Sequence, residues 1–137
     1  MNTISEFRGE YFFLSNFYHA PVIYNGMRFE NNEAAFQSAK CPEQAEKFCG
    51  LNPQDAKRLG RRVPLRPDWE TVKFSIMEDI SRAKFQQNPS LLERLLQTGD
   101  AELVEGNSWG DRTWGVCRGS GQNHLGKILM KLRAELR

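Results

Sequence analysis

The chain has 137 residues, 39% of them hydrophobic and 26% charged, the make-up of a single soluble domain large enough for its own core. A net charge of +2 argues against a protein that coats nucleic acid, and the lack of a long apolar run or a basic-then-apolar leader predicts a cytoplasmic protein without a membrane partner. Three cysteines (Cys41, Cys49 and Cys117) and two histidines, in no ligand spacing, predict reduced thiols, no metal site and no cofactor.

The first thirty residues read as extended. The aromatic run from Tyr11 to Tyr18 suits a strand or a packed arch. Asn25-Gly26 lies between two short apolar runs, and a type I′ hairpin turn needs positive φ at both of its central residues. From about Asn32 the chain is rich in helix formers, with Asn31 or Asn32 as N-cap and Pro42 as the end or bend. A short helix is expected over Glu43 to Phe48, and another from Asn52-Pro53 to Gly60. The longest helix should begin near Pro67-Asp68 and stop around Asn88, with Trp69, Val72, Ile76, Met77, Ile80 and Ala83 on its buried face. Ser90 to Gln97 forms a further helix stopped by Gly99, Leu103-Val104 a short strand, and about Gln122 to the end a last helix with a leucine-rich stripe. The expected fold class is α+β: a predominantly helical single domain over residues 1–137, with a small antiparallel β element near its N-terminus.

Three stretches bear on chemistry. Asn107 to Gly126 holds Trp109, Trp114, Asp111 and five of the eleven glycines. Indoles, a carboxylate and glycine turns suit a pocket for a planar polar molecule, or else a tight turn whose tryptophans plug the core. Glu33, Gln37 and Lys40 lie at i, i+4 and i+7, on one helical face, and suit either an active-site wall or an exposed polar stripe, which composition favours. Lys57, Arg58, Arg61, Arg62 and Arg66 form a basic run, read first as a solvated helix end and second as a landing site for phosphate. Taken together, these groups match the demands of a glycosidic bond to a nitrogen heterocycle. That bond breaks through an oxocarbenium-like transition state needing a nearby carboxylate, a held water and help for the departing base. Glu33 and Asp111 could serve the charge and the water, Trp109 or Trp114 the base, and Lys40 or an arginine a phosphate. Lys40, if desolvated, could also attack the ribosyl carbon.

Four ordered motifs carry a resemblance over nearly the whole chain. F-x-G-x-Y-F-F-L-S-N-F-Y from Phe7 to Tyr18 and F-E-N-N-E-A-A-F-Q-S-A-K from Phe29 to Lys40 resemble the first two motifs of the NADAR superfamily, in its YbiA-like branch. N-S-W-G-D-x-x-W-G from Asn107 resembles that family's W-G-D and W-G loop, and the segment Gly121 to Arg133 resembles its closing helix. Asn32 departs from the serine, threonine or valine of many members, but can still cap the helix.

The resemblance implies hydrolysis of the C–N bond between a phosphorylated ribose and a base, either in ribosylamino-pyrimidine phosphate intermediates of riboflavin synthesis or in ADP-ribosylated guanine. It implies Glu33, Asp111, Trp109 and Lys40 as the catalytic set, with Asn16, Gln37, Trp114, Asn123 and Arg8 as substrate contacts. The implied partner is a small phosphorylated ribosylamine, with ADP-ribosylated nucleic acid as the alternative. A different class, a module that binds ADP-ribose without cleaving it, would need stacking and phosphate contacts but not two carboxylates.

Overall fold

The computed structural model describes residues 2–137. Two units are distinct in the pattern of backbone contacts: residues 16–88 form one, and the other joins the N-terminal residues up to Ser15 with Pro89–Arg137.

Strand β1 (Thr3–Ile4) belongs to the other unit, and the unit of residues 16–88 starts with a hairpin. Strands β2 (His19–Tyr24) and β3 (Met27–Asn31) pair antiparallel, Val22 facing Phe29 and Tyr24 facing Met27. Asn25 and Gly26 both hold positive φ, 51° and 77°, as the expected turn demands. The side chain of Asn31 then accepts the Ala34 N–H at 2.8 Å and starts helix α1 (Asn32–Ser38). Such a cap stabilises a helix by about 1 kcal/mol. A 3-10 helix follows over Pro42–Phe48, where the reading of the sequence expected a short helix of unspecified kind. Asn52 caps helix α2 (Pro53–Gly60) through the Asp55 N–H at 2.8 Å. Helix α3 (Trp69–Gln87) is the longest and supplies Trp69, Ile76, Met77, Ile80 and Phe85 to a core shared with Val22, Phe29, Ala34, Ala35 and Phe48. Ala34 and Ala35 are fully buried, so α1 packs on its neighbours at backbone range.

The other unit is assembled from both ends of the chain. Strand β1 pairs parallel with β4 (Glu102–Leu103), and β5 (Gly106–Asn107) pairs parallel with β6 (Val116–Cys117). The aromatic run expected as strand or arch instead forms a 3-10 helix, Gly9–Leu14, with Phe13 and Leu14 buried. Its position is fixed from helix α4 (Pro89–Gln97): Arg94 lies over the Phe13 ring at 4.2 Å and donates to the Glu10 carbonyl at 2.7 Å. Gly99 stops α4 with φ of 64°. Helix α5 (His124–Glu135) buries Leu125, Ile128, Leu129 and Leu132, as its stripe predicts. The architecture is α+β, with helices dominant and each sheet small, and the antiparallel element is the hairpin near the N-terminus. Among the described residues no helix is long and apolar enough to cross a membrane.

Candidate functional site

Helix α1 is buried along its whole length, including its polar residues. Glu33 is 8% exposed and Gln37 6% exposed, so the solvated stripe favoured by composition is not what forms. Glu33 sits in the first turn, where the helix dipole favours a carboxylate, and its N–H donates to the Asn16 carbonyl at 3.1 Å. Gln37, one turn on, donates from Nε2 to Glu33 Oε2 at 2.6 Å. An ionised carboxylate only accepts, so the amide nitrogen must face it.

Gln37 is itself held in place. Gly60 of α2 backs onto it so closely that a Cβ there would overlap the Gln37 amide. The other end of that amide, Oε1, is buried without a hydrogen-bond partner among the described residues. The Asn16 side chain completes this neighbourhood, accepting from Asn32 Nδ2 at 3.5 Å and donating to the Met77 sulfur at 3.5 Å.

Lys40 extends the row. Burial lowers its pKa from the ordinary lysine value, Glu33 opposes that fall, and Arg61, Lys57 and Lys73 add to it. Its Nζ lies 5.9 Å from the centre of the Trp69 ring, which in turn packs against Phe36 with ring centres 5.0 Å apart. The arrangement is a buried, hydrogen-bonded carboxylate followed along one face by an ammonium that is partly withdrawn from water. It can hold negative charge near a developing cation and present an amine of reduced basicity.

The other unit contains Arg8, Trp109, Asp111, Trp114 and Asn123. The loop between β5 and β6 is clamped by Asn107, whose Oδ1 accepts the Asp111 N–H at 3.0 Å and whose Nδ2 donates to the Asp111 carbonyl at 2.9 Å. Asp111 Oδ1 accepts two backbone N–H groups, from Thr113 at 3.0 Å and Trp114 at 2.9 Å. One oxygen of this carboxylate is therefore spent on loop shape. Trp109 is 59% exposed, which rules out a core plug there. Trp114 is partly buried and meets the edge of His124, ring centres 6.3 Å apart.

Two glycines, Gly115 in this loop and Gly121 beyond β6, serve the fold. A Cβ on Gly115 would strike the Glu105 carbonyl, and one on Gly121 would strike that of Gly115. Asn123 is a buried strut: Nδ2 donates to the Leu103 carbonyl at 2.9 Å and Oδ1 accepts the Glu105 N–H at 3.0 Å. Arg8 is exposed at the start of the 3-10 helix and makes no side-chain capping bond.

The structure thus gathers Glu33, Gln37, Lys40 and Asn16 in one unit. Reasoning from sequence marked Trp69 only as core, because helical period gives no sign that its ring lies beside Lys40. It also missed the selection of Lys57, Arg61 and Lys73 as neighbours of Lys40. The i, i+4 spacing of Lys57 and Arg61 was a usable signal, whereas Lys73 gave none.

Comparison with known proteins adds four findings. A family model described as the NADAR domain matches residues 5–137. The chain is 38% identical over 128 residues to N-glycosidase YbiA of Escherichia coli (strain K12), covering 89% of this chain and 79% of that protein. It is 38% identical over 130 residues to a riboflavin biosynthesis protein of Vibrio vulnificus, covering 90% of this chain but 35% of that protein. The NMR structure of Escherichia coli YbiA superposes with a TM-score of 0.85 at 37% identity, covering 99% of this chain and 83% of that one.

Proposed function

The chain belongs to the NADAR domain family, and from that premise we propose that it is an N-glycosidase hydrolysing the C–N bond between a ribose 5′-phosphate and an amino-pyrimidine or guanine-like base. The names of its relatives support the class of reaction, and that of the Vibrio vulnificus protein supports riboflavin intermediates as substrates. The observation that carries the reading is the buried Glu33 carboxylate, fixed by Gln37 and followed by Lys40. As the base departs, positive charge spreads over the anomeric carbon and ring oxygen. A carboxylate already stripped of water and held by a hydrogen bond stabilises that charge without having to reorganise.

The W-G-D motif assigns a part in the reaction to Trp109, an exposed indole able to stack on a base. Asp111 keeps one oxygen for the second task, holding the attacking water, while the other supports the loop.

The lowered pKa of Lys40 favours a second route to the same products. Its neutral amine attacks the anomeric carbon and the base leaves with the bonding pair, taking up the proton the amine loses; the glycosylamine then opens, its ring oxygen gaining a proton as the C–O bond breaks, and water releases the sugar from the resulting imine. Borohydride added during turnover would then fix a sugar phosphate on Lys40, seen by mass. An unmodified chain would assign the attack to water.

The reading is tested with Glu33→Gln, assayed for base release from a ribosylamino-pyrimidine phosphate and from an ADP-ribosylated guanine oligonucleotide. Turnover should fall roughly 10²-fold or more while the circular dichroism spectrum is kept. Undiminished release from both substrates would remove Glu33 from the reaction.

A further inference from the structure

We propose that Lys57 of α2 and Arg61, its C-cap residue, beside Lys40, form the seat for the phosphate of the substrate's ribose. The inference deepens the N-glycosidase reading and rests on it for the sugar, but the anion site stands on its own geometry. Gly60 abuts Gln37, which lies between Glu33 and Lys40 in the sequence, Lys40 following two residues after α1 ends. Lys57, one turn before Gly60, and Arg61, the C-cap directly after it, stand four residues apart at the end of α2, so this contact carries both towards the Glu33–Lys40 row. The chain that follows is tied to the same place: the Arg66 N–H donates to the Lys40 carbonyl at 2.9 Å.

The charges around this row are unbalanced in a particular way. Arg58 is paired with Asp55 at 3.1 Å, Arg66 with Asp68 at 2.7 Å and Lys73 with Glu70 at 2.6 Å. Lys40, Lys57 and Arg61 form no ion pair among the described residues, yet all three are close enough for the latter two to lower the basicity of Lys40. Attraction to the helix C-terminus explains why α2 ends in basic residues, but it applies to Arg58 as much as to its neighbours. It does not explain why Lys57 and Arg61, which lack a carboxylate partner among the described residues, join the paired Lys73 around Lys40. A phosphate would relieve their mutual repulsion and accept charge-assisted hydrogen bonds from both.

The test titrates the full chain calorimetrically with ribose 5-phosphate, ribose and ADP-ribose. Wild type should bind ribose 5-phosphate at least tenfold more tightly than ribose, and Lys57→Gln and Arg61→Gln should each weaken it by roughly tenfold. Arg58→Gln, whose guanidinium is already paired, should leave it unchanged. A larger loss for ADP-ribose than for ribose 5-phosphate would make the preferred anion a diphosphate and support the same seat. The proposal is overturned if wild type binds neither phosphate ligand, or if the Lys57→Gln/Arg61→Gln double variant binds both as wild type does. Glu33→Gln separates the two readings, because it should retain ribose 5-phosphate affinity while losing turnover. If it keeps turnover, the role of Glu33 fails and the phosphate seat is judged by the titration alone.

Discussion

Gly60 gives a sharp test of how Glu33 is positioned, since it touches neither the carboxylate nor any substrate in the proposed scheme. Gly60→Ala adds a methyl group at the end of α2, where the backbone is helical and alanine is intrinsically favoured by about 1 kcal/mol. Against that gain stands overlap with Gln37. The amide tip could rotate away, but the Gln37 Cβ lies only 3.2 Å from the new methyl and has no such freedom. Overpacking of this kind costs about 1–3 kcal/mol, so net stability should change by no more than about 2 kcal/mol. Activity should suffer more. Displacing the amide removes a hydrogen bond to a carboxylate, worth about 1.5–3 kcal/mol, which corresponds to a loss in kcat of roughly ten- to a hundredfold. Base release and thermal melts would be measured for Gly60→Ala, Gln37→Leu and the double variant. If the glycine acts through the amide, the double variant is no worse than Gln37→Leu alone. Additive losses, or full kcat in Gly60→Ala with a near-wild-type Tm, would refute the positioning argument.

Three further outcomes are expected. Asp111→Asn keeps an oxygen for the Thr113 and Trp114 N–H groups and should preserve the loop, whereas Asp111→Ala should raise amide hydrogen exchange there; equal exchange in both would remove the structural role. Asn123→Ala deletes two buried bonds to Leu103 and Glu105 and should cost about 2–3 kcal/mol in urea unfolding, with less than 1 kcal/mol counting against the strut. Lys84 is 1% exposed and burial lowers its pKa to about 7, well below its unfolded value. The unfolded chain therefore binds more protons between those two values, and stability rises with pH there. From pH 7 to 9 this single group should add about 2 kcal/mol, and Lys84→Met should lose that increment; an unchanged pH slope would disprove the linkage.

What could be read from the sequence was mostly what short-range sterics decide. The turn at Asn25-Gly26, the caps at Asn31 and Asn52 and the stop at Gly99 depend on a few adjacent residues, and each formed as expected. The aromatic run from Tyr11 did not form a strand. With no neighbouring strand in its ladder, it coiled into a 3-10 helix that buries Phe13 and Leu14. Family membership was likewise legible, since four ordered motifs survive translation into a string of letters.

Tertiary structure alone decided what each polar side chain does. Glu33, Gln37 and Lys40 have the same spacing whether their face meets water or protein, so only the packing of α1 against α2 and α3 could bury Glu33 and Gln37. Trp109 and Trp114 sit in similar local contexts, yet one is open and the other packs on His124. Asn123 and one oxygen of Asp111 were committed to distant or neighbouring backbone groups that no periodicity reveals. Residue type and spacing determined which chemistry this chain could hold. Burial and hydrogen-bond partners, which arise from segments far apart in sequence, determined which groups are held ready for it.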